Sequence, residues 1–515
     1  MKNKTENKNE LINKIAVKFI KIITICLPFT SFILINTNID NDMYFMLPTG
    51  KYILENGFPH KDFLTIHSSM DIIVQQWLAD VAFYKTYSVF GEVGLIAIVF
   101  IAAVLLIFLF YYLIHIITGK HLLSLFGTTI IAFWLFPSYL VTRPQIFTFI
   151  IIAAELICLE KYVKTGTSKH LVPIVILSLA LINLHASMWM MLFAFMFPYF
   201  VQSLNIKIGK FKLESKCRFL PLAACAILSI AAGFVNPYGI DAMLYIFSSY
   251  GYDSINSFIN EMIPVQITDT LGAEFFALIA IIILIYIVYR KGIFETRFVL
   301  LTVGTVFFGL TSYKAFSFFI IAAVPSVCNY IKNVNYSIPV ERIKDKKTSV
   351  KSSVIRITGL IIVLFALCTA VILSTSDSAN NTLDNSTNND KNYVSVRYAP
   401  IADELDKLPK EKITLYTGFD AGPYFEFRGY KPYIDARAEL FFKKNNNEFD
   451  YFNEFYELYL GKSDPKEFVD KYDFTHLVVS KSEYCLKNYL DSSENYTLIE
   501  KTETYYLYQS NDFKA

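Results

Sequence analysis

Long apolar runs recur along the chain, separated by short polar breaks, as far as about residue 375. A helix needs about 20 predominantly apolar residues to cross the hydrocarbon of a bilayer. On that measure the pattern predicts spans near 14–36, 93–118, 122–140, 145–160, 171–184, 187–204, 219–235, 273–290, 298–312, 315–330 and 357–375. The expectation is an α-helical polytopic membrane protein of about eleven crossings. The third to sixth spans, and the ninth and tenth, form tight hairpins. The first run is too long for a cleavable signal peptide and no small-residue cleavage site follows it, so it is expected to stay as an anchor.

The pattern changes after residue 375. Residues 376–392 are Asn-, Ser- and Asp-rich without periodicity and read as a flexible linker. Residues 393–515 then show short alternating runs at Ile413–Tyr416, Pro432–Ile434, His476–Val479 and Tyr505–Tyr508, which predict strands. Helical stretches at Ile401–Leu408, Phe449–Leu460 and Asp464–Lys471 separate them. Residues 1–375 are therefore expected to form a transmembrane domain and 393–515 a soluble α/β domain. No internal repeat supports an inverted-repeat transporter.

Charge placement orients the chain. With the N-terminus inside, the cytoplasmic segments hold Lys2 to Lys21, Lys120, Lys161, Lys164, Lys169, Lys207 to Arg218, Arg290 to Arg297 and Lys332 to Arg356, about 25 basic residues in all. The opposite loops hold only Lys51, Lys61, Lys85, Arg143 and Lys314. That bias places the C-terminal domain outside the cytoplasm. Composition agrees with a chain immersed in lipid: 54% hydrophobic and 18% charged residues, with a mean hydropathy of +0.40. The net charge of +2 singles out no partner, and no basic patch interleaved with aromatics suggests nucleic acid. Six of the seven cysteines fall in or beside spans and no Cys-x-x-Cys pair occurs, so they read as small apolar packing residues.

Polar residues concentrate on the outward loops. The first, about 37–92, is too long and too patterned for a connector. It opens on Asp40-Asn41-Asp42-Met43-Tyr44-Phe45 and continues through Gly57-Phe58-Pro59, Asp62, His67, Asp71 and Gln75-Gln76-Trp77-Leu78. Acidic residues at the water–membrane boundary can hold a divalent metal such as Mg or Mn, or take a proton from an acceptor hydroxyl. They also simply keep a loop wet. Other outer segments carry Thr142-Arg143-Pro144-Gln145, Asn183-Leu184-His185, Asn236-Pro237-Tyr238-Gly239, Glu261 and Tyr313-Lys314. A lone cation here suits a lipid-linked phosphate or snorkels to the headgroups. His185 alone reads first as a satisfied helix-end histidine. Glu155, inside the fourth span, is expected to be structural and to pair with Lys161.

The run Asp40 to Gly50 resembles the acidic first-loop motif of bacterial GT-C glycosyltransferases, polytopic enzymes related to protein mannosyltransferases and lipid A aminoarabinose transferases. The likeness continues through the loop motifs above and covers most of residues 14–330. Gly422-Pro423-Tyr424 and Ile434-Asp435-Ala436-Arg437 are similar to the C-terminal domain of many members. The resemblance implies transfer of a sugar from a polyprenyl-phosphate donor to an extracytoplasmic acceptor (a cell-envelope glycan, lipid or protein), with inversion. It implies Asp42 as base or metal ligand, Asp40 as second choice, and Arg143 and Lys314 on the donor phosphate. His185, Glu261, Asn236 and Gln76 would line the substrate site. Two departures stand out: Met46 where relatives carry His after two aromatics, and Gln76 where they carry Glu. A transporter or flippase for a lipid-linked sugar, and a non-catalytic scaffold of envelope-glycan assembly, are the competing readings.

Overall fold

The computed structural model describes residues 25–333 and 394–514, apart from 205–206, 209–210, 213–216, 250–251, 290–291 and 293. The expected span 357–375, the linker 376–392 and most of the first span 14–36 lie outside the described residues; of that span, Leu27–Leu34 form a 3-10 helix. All nine expected runs between 93 and 330 fall on helices. Four of these helices are long and apolar enough to cross a membrane: Trp77–Thr118, His121–Tyr139, Thr270–Val288 and Tyr313–Ile331. Ser168–Leu184, Phe219–Gly233 and Thr296–Thr311 are apolar but shorter. The total of eleven thus remains an expectation from the sequence.

Position in the bundle follows from what surrounds each helix. Tyr313–Ile331 is central, with Phe316, Phe318, Phe319 and Ile321 all buried. Thr270–Val288 is peripheral: Ile283, Leu284 and Ile287 are more than half exposed, as a face bathed in lipid tails would be. The helix Trp77–Thr118 starts well before its apolar run because it is two segments joined at a kink. Gly91 sits there at φ 61°, a conformation that costs a residue with a Cβ but not glycine. On the outer side of that kink the polar Asp80 and Lys85 keep the hydropathy low.

Among the described residues, buried charges in the bundle helices are paired with two exceptions, Glu155 and Asp80. Arg297 holds Glu160 through two bonds of 2.7 and 2.9 Å, and the Tyr199 hydroxyl donates to the same carboxylate at 2.8 Å. Glu155 is the first exception. It is fully buried, and neither carboxylate oxygen has a hydrogen-bond partner among the described residues. The expected pair with Lys161 does not form, because six residues along a helix place the two side chains roughly 120° apart around its axis. The Lys161 ammonium instead lies 4.9 Å from the centre of the Tyr112 ring.

Within the first outer loop, Met43–Asn56 is a helix that packs on the outer segment of Trp77–Thr118. The approach is close at Gly50, where a Cβ would lie 2.2 Å from the Asp80 carbonyl oxygen. The C-terminal residues build a four-stranded sheet in the order Leu415–Thr417, His476–Ser480, Tyr505–Ser510, Tyr496–Lys501. The first pair is parallel and the other two are antiparallel. The expected strand Pro432–Ile434 reduces to a single bridge between Pro432 and Leu415. The strand Tyr496–Lys501 was not anticipated. Its side chains are mostly exposed, so it lacks the apolar alternation that reveals a half-buried strand.

This C-terminal unit is seated on the loops that carry Tyr44, His67 and Phe258. Phe258 inserts among Phe419, Phe452, Phe455 and Tyr459, with ring centres 5.2 to 6.0 Å away. Such edge-to-face pairs each add about 0.5–1.5 kcal/mol beyond burial. His67 stacks on Tyr451 at 3.7 Å, and Tyr44 meets Tyr424 at 5.3 Å.

Candidate functional site

The first outer loop turns into the helix Met43–Asn56 through Asp40-Asn41-Asp42. Asp40 fixes that turn: its amide donates to Thr142 Oγ1 (2.9 Å) and its carboxylate accepts the Asp42 amide (3.0 Å). Asp42 stands where a helix-capping side chain would stand, yet it accepts no capping bond. Its carboxylate is directed to Arg143, with Oδ2 3.3 Å from Nε. Arg143 binds Asp40 more closely, at 2.6 Å, and donates from Nη1 to both oxygens of Glu261 at 2.7 and 2.9 Å.

One guanidinium thus serves three carboxylates, and Asp42 has the weakest share. Burial beneath the cavity mouth raises its pKa to about 7, with Arg143 opposing and Asp40 and Glu261 reinforcing the shift. Glu261 moves the other way, held low chiefly by Arg143. Asp40 and Asp42 do not fit a divalent metal in this arrangement, because the guanidinium fills the space between them. Among the described residues no group of three His, Cys, Asp or Glu side chains could hold a metal ion.

A cavity of about 320 Å³ lies over this cluster. Asp42, Arg143, Glu261, Lys314, His185 and Gln76 all line it, although they come from five separate stretches of sequence. Ser312 caps the helix Tyr313–Ile331 by accepting the Ala315 amide, which sets Lys314 in the first turn beside the cavity. Its ammonium has no carboxylate within ion-pair distance among the described residues. His185 ends the helix Val172–Leu184, and its Nδ1 lies 2.8 Å from Thr148 Oγ1. Burial, with Lys314 and Arg143 adding to it, lowers its pKa to about 3 and keeps the imidazole neutral. Gln76 is buried at the head of the helix Trp77–Thr118.

Asn236 is not brought to this cavity. Its amide donates to the carbonyls of Gly233 (2.7 Å) and Gly239 (2.9 Å), and its oxygen accepts the Tyr238 amide. It builds a turn. Conversely, the cavity includes residues that motif reading did not reach: Asp80, Tyr245, Asp420 and Glu439. Asp80 is fully buried with neither oxygen hydrogen-bonded. An acidic residue in the first turn of a helix ordinarily reads as a favourable charge on the helix dipole, which hid it.

A second arginine cluster lies at the cavity wall, of which Arg437 is part. Arg437 binds Asp435 through Nε and Nη2, and Asp62 of the first outer loop at 3.0 Å from Nη2, with Glu426 3.8 Å away. All four side chains are at least nine-tenths buried. This bond to Asp62 clamps the C-terminal unit to the loop.

No family model and no curated protein matches the chain. Solved structures do. ArnT from Cupriavidus metallidurans bound to undecaprenyl phosphate is similar at a TM-score of 0.51 and 11% identity, over 96% of this chain and 97% of that one. The oligosaccharyltransferase of Archaeoglobus fulgidus in the apo form is similar at a TM-score of 0.52 and 13% identity, over 89% of this chain and 69% of that one. The same enzyme tethered to an acceptor peptide gives 0.51 and 14%, over 94% and 73%. Both neighbours are GT-C membrane glycosyltransferases, and the fold of this chain is the GT-C fold.

Proposed function

We propose that the chain is a membrane glycosyltransferase of the inverting type, taking a sugar from a polyprenyl-phosphate donor and passing it to an acceptor outside the cytoplasm. The observation that carries this reading is the pairing of unlike groups on one cavity. Asp42 is a carboxylate only partly neutralised, and Lys314 is an ammonium with no carboxylate of its own among the described residues. The undecaprenyl phosphate held by the ArnT neighbour supports a donor of that class.

In the proposed reaction an acceptor hydroxyl gives its proton to the Asp42 carboxylate while its oxygen bonds to the anomeric carbon. The bond from that carbon to the phosphate oxygen breaks, and the phosphate leaves with the electron pair. Displacement from the opposite face inverts the centre. A base of pKa near neutrality suits this task. Lys314 meets the charge that grows on the leaving phosphate. Arg143 is engaged by Asp40 through Nε and by Glu261 through Nη1, so we assign it to holding Asp42 rather than the donor. The neutral His185 and Gln76 offer hydrogen bonds to sugar hydroxyls. The test compares surface glycans of cells making wild type, Asp42→Ala or no protein, at equal membrane abundance. Loss of the same band in the last two supports the assignment, and an unchanged band with Asp42→Ala removes it.

A further inference from the structure

A second cavity, of about 480 Å³, lies beside the first. Ile72, Ile73, Tyr245, Glu439 and Leu440 line both. The two therefore share a wall, and at it the Tyr245 hydroxyl donates to Glu439 Oε1 at 2.9 Å. One side of the second cavity comes from the turn and short helices after Asn236, the other from the C-terminal unit at 439–447.

We propose that this second cavity binds the acceptor, and that the acceptor is a neutral, hydroxyl-rich glycan. The inference rests on the transferase reading above and names its acceptor. Size is the first argument, since the volume falls among those of pockets that enclose a small ligand, about 300–1,000 Å³. Charge is the second. Asp71, Asp241 and Glu439 outnumber Lys444 on the lining, a balance that repels phosphorylated or sulfated chains. Asp71 is already engaged by Lys61 (2.7 Å) and Asn447 (2.9 Å). Asp241 is exposed on the lining and has no ion pair or side-chain hydrogen bond among the described residues.

The kind of group present is the third argument. A free carboxylate accepts from sugar hydroxyls, the Lys444 ammonium donates to them, and Tyr238 offers a ring beside them. An extended peptide is the rival occupant. It would gain most of its affinity by joining a strand edge, and none of the described strands lines the cavity. The hydroxyl-bearing end of a glycan seated here would reach Asp42 past the Tyr245–Glu439 pair.

The test uses the full chain in lipid nanodiscs, applied to immobilised short neutral hexose oligosaccharides, their sulfated forms, and serine- and threonine-rich peptides. Retention on the neutral sugars is expected. Asp241→Arg should reduce it at least about tenfold and Asp241→Asn less, with thermal stability unchanged because the side chain is exposed. Lys314→Gln, which weakens only the donor site, should leave retention as in wild type. Retention on sulfated sugars or peptides alone, no retention at all, or indifference to Asp241→Arg would each overturn the assignment. The two proposals fail separately. A blank array with Asp42→Ala still abolishing the surface glycan removes only the acceptor. Neutral-sugar retention with the glycan intact in Asp42→Ala removes only the catalytic reading.

Discussion

Among the described residues two arginines each face three carboxylates, and the two clusters differ in what else can reach them. Around Arg437, which borders the cavity, the acids Asp62, Asp435 and Glu426 are sealed, with no exposed side-chain surface. Arg143, with Asp40, Asp42 and Glu261, is open, and the side chains of Asp42 and Glu261 are 28% and 47% exposed. Acids sealed in this way have only the cluster's own members as partners, so their geometry is fixed and their cost is repaid through the parts they join. An open one can exchange a partner for a substrate. The same ratio of charges thus serves as a fastener in one place and, under the proposed mechanism, as a reaction centre in the other.

That contrast can be broken most directly at Asp42. Asp42→Ala should lower transfer by about 10³-fold while leaving the melting temperature nearly unchanged. In the wild type the acid limb of kcat/KM should follow the same group. Its pKa is raised to about 7, the ionised form is the base, and activity should rise as pH increases through that value. A flat profile across the neutral range would remove Asp42 as the base.

Arg437→Met should do the reverse. It leaves buried carboxylates without their cation, at a cost of about 3–5 kcal/mol, seen as an early melting step and as proteolysis of the C-terminal unit. Arg143→Met should be milder in stability, because water from the cavity can solvate the acids it deserts. Equal destabilisation by the two substitutions would erase the distinction between the clusters.

The clamp also carries a pH dependence. Burial against Tyr451 lowers the pKa of His67 to about 4 from an ordinary 6.5. The neutral form is the one the fold accepts, so its contribution is complete above pH 6.5. It is lost as pH falls from there towards 4, by about 3 kcal/mol in all. His67→Phe should keep the stack and flatten that part of the stability curve, which chemical unfolding at several pH values would reveal.

Smaller effects sharpen the picture. Lys314→Gln should cost about 10²-fold in transfer, with Lys314→Arg restoring part of it; a neutral result would place the donor phosphate elsewhere. Asn236→Ala should cost about 1 kcal/mol of stability and no activity, as befits a turn-builder outside the cavity.

How much of this was legible in the sequence depends on the range over which each feature is encoded. Helices such as His121–Tyr139 announce themselves locally, because most residues of the run are apolar. Asp42, Arg143, Glu261 and Lys314 were legible as polar residues on outward loops, but their mutual distances were not. That Arg143 would be shared between Asp40 and Glu261 depends on loops up to 118 residues apart in sequence. Asp80 was hidden by its ordinary place in a helical first turn. Asn236 was overrated because an Asn-Pro-Tyr-Gly turn on an outer loop looks like a site until its amide is seen bonded to its own backbone.

The wall that Asp420, Arg437 and Glu439 add to the cavity has a consequence for the order of synthesis. A ribosome makes Asp42, Arg143 and Lys314 first and these wall residues only more than a hundred residues later. Until then the nascent chain holds its charged cluster with one side missing. Under the proposed mechanism, a chain cut short before residue 420 would lack that wall and should transfer no sugar.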